Sequence, residues 1–235
     1  ILSGLVGSEM CIRDRNTTTG TVSQLLRSDG SALATAIASG TAPTDLAVDP
    51  TGRYLYVTNN TAATISQYTI NSSTGVLTAN GTVATGSGPN GIAVDPTGRY
   101  VYVVCTTDNV VRQYTINSDG TLTANSTPTV ATGTGPYDVA IDFSGKYVYV
   151  TDNGGDAGTT LHQYNIGSNG ALTAMSTASV TTDTGPRGIV FTYNSTNNQS
   201  YVYVANYGAA QTGTNAGKTK STVYGYLVGS AGNLS

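Results

Sequence analysis

The chain has 235 residues, with 10 Lys+Arg against 13 Asp+Glu, a formal charge of -3 and only 10% of residues charged. It carries no basic cluster, which argues against a nucleic-acid partner, and no apolar run approaches the roughly 20 residues of a membrane-spanning helix. Threonine is the commonest residue, and with 29 Gly and 16 Tyr the mix favours strands and turns over helices.

The first fifteen residues, ILSGLVGSEMCIRDR, share nothing with the remainder of the chain. The run from Leu5 to Asp14 resembles the in-frame translation of a transposase-type sequencing-library adapter, so residues 1–15 are set aside as a non-native leader. Setting them aside removes Glu9, the sole Glu of the chain, and Cys11, which leaves Cys105 without a disulfide partner. Residues 16–40, including VSQLLRSDGSALATAIAS, align with only the last two strands of the unit that comes next.

From there the chain is periodic. Four segments open from a proline: APTDLAVDPTGRYLYVTNN, GPNGIAVDPTGRYVYVVCT, GPYDVAIDFSGKYVYVTDN and GPRGIVFTYNSTNNQSYVYVANY. Their prolines, Pro43, Pro89, Pro136 and Pro186, are spaced 46, 47 and 50 residues apart. Complete units fill 41–85, 86–132 and 133–182, and a near-complete one fills 183–235. Each reads as four short antiparallel strands. Runs such as Tyr54-Leu55-Tyr56-Val57 suit a second strand buried on both faces. Asp49-Pro50-Thr51-Gly52 has the residue preferences of a type I turn between the first two strands. Asn117-Ser118-Asp119-Gly120 supplies a turn ending in a left-handed glycine between the last two. Four-stranded units at this period predict an all-β fold, a β-propeller fragment of a little over four blades. The Pro-led strand is expected innermost and the polar fourth strand outermost.

YLYVTNN and YVYVTDN, placed after P-x-x-(I/L/V)-A-V-D-P-T-G-(R/K), resemble the YVTN-repeat propellers, in particular the lactonase-type, 6-phosphogluconolactonase-like seven-bladed family. The resemblance covers nearly everything from residue 16 onward and speaks to fold more than to activity. Enzymes of that family carry G-P-R-H in one blade and Y-V-x-N-E at the end of the following strand. Here Gly185-Pro186-Arg187 is followed by Gly188, and Val202-Tyr203-Val204-Ala205-Asn206 by Tyr207, so the family's His and Glu are both missing from these positions.

Two columns change polarity and size between units and are the expected ligand rim: Thr44, Asn90, Tyr137 and Arg187 after the proline, and Asn59, Cys105, Asp152 and Asn206 at the end of the second strand. Arg187, with a permanent charge and forked donors, and Asp152 are the weak catalytic candidates. Asp138 joins the rim as a carboxylate able to act as a base only if burial raises its pKa toward neutrality. Asp152 and Asp156 flank two glycines but offer too few ligands for a cation. Lys218 and Lys220 read as solvated loop residues. His162, in a column of Ser66, Arg112 and Tyr224, reads as a tolerant blade-surface position. No metal or cofactor site emerges. The expected function is a secreted or cell-surface scaffold that binds a small molecule, glycan or protein at the propeller face, in an extracytoplasmic setting suited to so few charges. The alternative is a sugar-lactone hydrolase.

Overall fold

Strand-forming runs punctuated by Asp-Pro and Asn/Gly turns leave the backbone little choice but short hairpins. The computed structural model describes residues 13–15, 22–24, 37–154, 158–208 and 221–235, the first two stretches as backbone. β1 (Arg13–Arg15) pairs antiparallel with β2 (Val22–Gln24). Val22-Ser23-Gln24 corresponds to Ile65-Ser66-Gln67 of the next unit, so β2 holds a third-strand register and β1 runs where a second strand would. Residues 1–12 of the leader lie outside the described residues.

The first blade comprises β3 (Pro43–Val48), β4 (Tyr54–Asn59), β5 (Thr64–Ile70) and β6 (Leu77–Ala84). The second comprises β7 (Pro89–Val94), β8 (Tyr100–Cys105), β9 (Val110–Ile116) and β10 (Leu122–Ala131). The third comprises β11 (Pro136–Ile141), β12 (Tyr147–Asp152), β13 (Thr160–Ile166) and β14 (Leu172–Thr181). Each is a four-stranded antiparallel meander. The last has β15 (Pro186–Asn194), β16 (Gln199–Asn206) and β17 (Thr222–Val228), with Leu234 bridging back to Val228 as the start of a fourth strand. The four sheets make a partial, all-β propeller. The Pro-led strands gather at the axis, β3 packing on β7, β7 on β11 and β11 on β15.

The core lies between sheets. The outgoing face of the first blade, with Tyr54, Tyr56 and Ile65, meets Ile92, Val101 and Val103 of the second. Tyr100, Tyr102 and Val111 meet Val139, Val148 and Val150 in the same way, and Tyr149 with Leu161 meets Val202 and Val204. This is why β4 and β8 are buried along their whole length. Tyrosine suits the position because its ring fills the interface while its hydroxyl needs one partner. The hydroxyls of Tyr56, Tyr102 and Tyr149 donate to the carbonyls of Gly120, Gly170 and Gly232 in the next blade, at 2.9, 2.9 and 2.8 Å. Gly120, at φ 82°, is required twice over, since a Cβ there would also stand 2.2 Å from the Tyr54 ring. Beside each tyrosine, Gln67, Gln113 and Gln163 accept the buried amide of Leu122, Leu172 and Leu234, at 2.6, 2.6 and 2.7 Å.

The turn after the first strand is organised by one carboxylate. Asp49 Oδ1 accepts the amides of Arg53 and Tyr54, both at 2.7 Å, while Oδ2 accepts the amide and hydroxyl of Thr51. Asp95 and Asp142 repeat the arrangement.

Candidate functional site

The loops between blades and those joining second to third strands share one face, at the mouth of the axis. Of the residues after the prolines, Thr44 donates to the Pro89 carbonyl at 3.1 Å, and the Asn90 carbonyl accepts from Thr58 Oγ1 at 2.7 Å. These two are tied into the junction of the first and second blades. Tyr137 and Arg187 do something different. The Arg187 guanidinium lies over the Tyr137 ring at 5.4 Å and over the Tyr207 ring at 4.5 Å. Its backbone carbonyl is held by Thr151 Oγ1 at 3.1 Å. Two cation–π contacts together restrain the guanidinium at this place on the face.

The second-strand column sits deeper. Asn59, Cys105, Asp152 and Asn206 are all buried. Asn59 Oδ1 accepts the Gly40 amide at 3.0 Å, and Asp152 Oδ2 accepts the Gly133 amide at 2.8 Å. Asn206 accepts from Thr182 Oγ1 at 3.1 Å. Each therefore latches the incoming inter-blade linker to its own sheet. Burial pushes the Cys105 thiol up to about 11, which leaves it without thiolate character at neutral pH.

His162 is the correction. It read as a tolerant surface position, yet its Nε2 stands 2.6 Å from Asp152 Oδ2. The register explains it: Asp152 faces Thr160 on the adjacent strand, so His162 is its diagonal neighbour on the same side of the sheet. Asp156, Lys218 and Lys220 lie outside the described residues, among which no three His, Cys, Asp or Glu side chains converge as metal ligands.

Asp138 gains most from the fold. Its Oδ1 accepts the Val139 amide at 2.8 Å, and its Oδ2 reaches across to the Ile189 amide of the fourth blade at 3.0 Å. Asp45 does the same one junction earlier, from its neighbour Leu46 at 2.8 Å and from Ile92 of the second blade at 2.9 Å. Sequence reasoning passed over Asp45. The signal was an alternation: the residue two after the proline reads Asp45, Gly91, Asp138, Gly188, while the residue beside it on the second strand reads Thr58, Val104, Thr151, Ala205. Thr58 and Thr151 hydroxyls each lie 3.1 Å from the amide of their own aspartate. At Gly91 a Cβ would come within 2.6 Å of the Asp138 carboxylate, so the glycine is the space the acid occupies.

Desolvation raises the Asp45 carboxyl above its ordinary range, against the pull of the Ile92 and Leu46 amides. Desolvation, joined by the charge of Asp45, pushes Asp138 up to about 7, overcoming the Ile189 and Val139 amides. The mouth thus carries an arginine held against two tyrosine rings and a carboxyl that burial and Asp45 push well above the usual carboxylate range.

A fold of repeated four-stranded antiparallel blades gathered about one axis defines a β-propeller, present here in part. The chain belongs to the lactonase family of seven-bladed β-propellers, whose family model matches residues 8–135, more than half of its length. No curated protein sequence matches it. Among solved structures it is similar to a candidate 6-phosphogluconolactonase of Bacteroides uniformis, at 19% identity and TM-score 0.69, over 89% of this chain and 61% of that one. A candidate 6-phosphogluconolactonase of Bacteroides fragilis matches at 18% identity and TM-score 0.63, over 97% and 77%. The periplasmic gluconolactonase of Pseudomonas aeruginosa matches at 17% and 0.59, over 95% and 76%. The chain spans about 61% of the length of the Bacteroides uniformis protein.

Proposed function

We propose that the mouth of the axis hydrolyses a sugar lactone, and the observation that carries this reading is the Asp138 carboxyl at the axis, held by amides of two blades and pushed up by burial and by Asp45. Lactone opening needs a base to take a proton from water and a donor for the oxyanion that develops on the carbonyl. A carboxyl near pKa 7 is ionised often enough to accept that proton and basic enough to hold it. The water oxygen bonds to the carbonyl carbon, the ring C–O bond breaks, and the proton passes from Asp138 to the departing alkoxide. Arg187, in contact with the Tyr137 and Tyr207 rings, serves as the cation for the oxyanion or for an anionic group on the sugar. The names of the Bacteroides and Pseudomonas neighbours favour the same substrate class. The setting belongs to the proposal too: few charged residues and a periplasmic neighbour favour an extracytoplasmic protein. Among the described residues no helix is long and apolar enough to cross a membrane.

The test is hydrolysis of 6-phosphogluconolactone and gluconolactone above the spontaneous rate. Asp138→Asn is expected to lower kcat by about 10²-fold or more, and Arg187→Ala to lower kcat/KM. Rates equal to the spontaneous one in wild type and both variants, with saturable binding of a lactone or glycan, would favour the binding-scaffold reading instead.

A further inference from the structure

On the face opposite the mouth, where the first-to-second and third-to-fourth turns lie, the repeat breaks between the third and fourth blades. In the first two units the turn carries Pro50 and Pro96, each seated on a glycine of the next blade; a Cβ at Gly98 or Gly145 would lie 3.4 or 3.5 Å from the proline Cδ. In the third unit the residue is Phe143, 63% exposed, with its ring edge-on to Phe191 of the fourth blade at 5.2 Å. The fourth blade has Thr192 where the turn aspartate belongs, and its hairpin runs three residues further, β15 being 9 residues long against 6 in β3. Arg53 and Arg99 cover Tyr54 and Tyr100 at 5.0 Å, whereas the equivalent Lys146 is exposed and Tyr147 faces an opening.

That opening is a cleft of about 450 Å³ lined by Tyr147, Phe191, Asn198, Gln199, Ser200 and Ser230, among others. Its chemistry is aromatic rings beside neutral amides and hydroxyls. The one carboxylate on its wall, Asp142, is buried and already accepts its own turn amides from Ser144, Lys146 and Tyr147. The side-chain nitrogens of Gln199 and Asn198 make no hydrogen bond within the described residues, while Gln199 Oε1 accepts from the Tyr201 hydroxyl at 2.7 Å and from Asn197 Nδ2 at 3.2 Å, and Asn198 Oδ1 accepts from the Tyr193 hydroxyl. Rings that take C–H faces, amide nitrogens that donate and the hydroxyls of Ser200 and Ser230 that both donate and accept suit a polyhydroxylated, uncharged ligand.

We propose that this cleft binds an uncharged oligosaccharide, one sugar ring against Phe191, which Phe143 supports edge-on from outside the cleft, and its hydroxyls on Gln199, Asn198 and Ser230. The site is separate from the mouth and independent of the lactone reading. It is tested by calorimetric titration of the full chain with maltohexaose, cellohexaose and chitohexaose. At least one is expected to bind saturably, about fivefold or more weaker in Phe143→Pro and in Gln199→Ala, and unchanged in Arg187→Ala. Proline at 143 restores what the first two units carry, so that variant keeps the turn, and Gln199→Ala alters an exposed side chain. Failure of all three sugars to saturate at about 10 mM, or binding lost in Arg187→Ala but kept in Phe143→Pro, would overturn the proposal.

Discussion

The outgoing faces of the first three blades and that of the fourth are written in the same positions and end in opposite states. Tyr56, Tyr102 and Tyr149 are fully buried, while Tyr203 is 40% exposed. Ile65, Val111 and Leu161 are fully buried, while Val223 is 72% exposed. The glutamine beside each tyrosine becomes Gly225 in the fourth blade. Its incoming face is ordinary: Val202 and Val204 are buried, and Tyr226 donates to the Thr181 carbonyl of the third blade at 2.7 Å. A blade's own hydrogen bonds therefore do not bury its apolar residues. The neighbour does, and stability resides in the junctions.

The comparison breaks if equivalent tyrosines cost the same. Tyr102→Ala is expected to destabilise by about 3–5 kcal/mol in denaturant unfolding, the range for emptying a large aromatic site, while Tyr203→Ala stays below about 1 kcal/mol as a surface change. Next comes the turn carboxylate, present in three blades and replaced by Thr192 in the fourth. Asp49→Ala strips four hydrogen bonds and is expected to cost about 2–4 kcal/mol. Desolvation would raise the Asp49 carboxyl, but the bonds from Thr51, Tyr54 and Arg53 together hold it below its ordinary value of 3.8. Its contribution is therefore complete above pH ~4 and is lost as pH falls through the lowered folded value. An Asp49→Ala deficit that stays constant down into the acid range would contradict that sign. The smallest sharpening is Gln113→Ala, which leaves the buried Leu172 amide unpaired and is expected to cost about 1–3 kcal/mol, read by chemical denaturation.

Most of the fold was legible because its signals are local. Asp-Pro-Thr-Gly marks a turn wherever it stands, and Tyr-Val-Tyr-Val between two turns has one use. The site was less legible because its pairings are not local. In three blades the column Asn59, Cys105, Asp152 meets its diagonal neighbour on the next strand: Ser66 bonds Asn59, Arg112 lies beside Cys105 and His162 pairs with Asp152, whereas in the fourth Tyr224 takes that place and Asn206 bonds Thr222 directly opposite it. Variation there follows a partner on the adjacent strand, so reading one column alone directed attention to the rim and away from His162. Asp45 and Asp138 act across blade junctions through amides 47 and 51 residues away. Only the alternation with glycine hinted at it.

The proposed chemistry of the mouth turns on the state of Asp138, and carboxyl-carbon NMR titration of the full chain measures it. The predicted result is an inflection at about 7, lower in Asp45→Asn because one opposing charge is gone. The linked consequence has a fixed sign. A folded pKa above the unfolded one gives stability that is complete below about pH 4 and declines as pH rises to the folded value, so Asp138→Asn gains on wild type between those limits. An inflection near 4, unmoved by Asp45→Asn, would contradict both the electrostatics of the mouth and the base assigned to it.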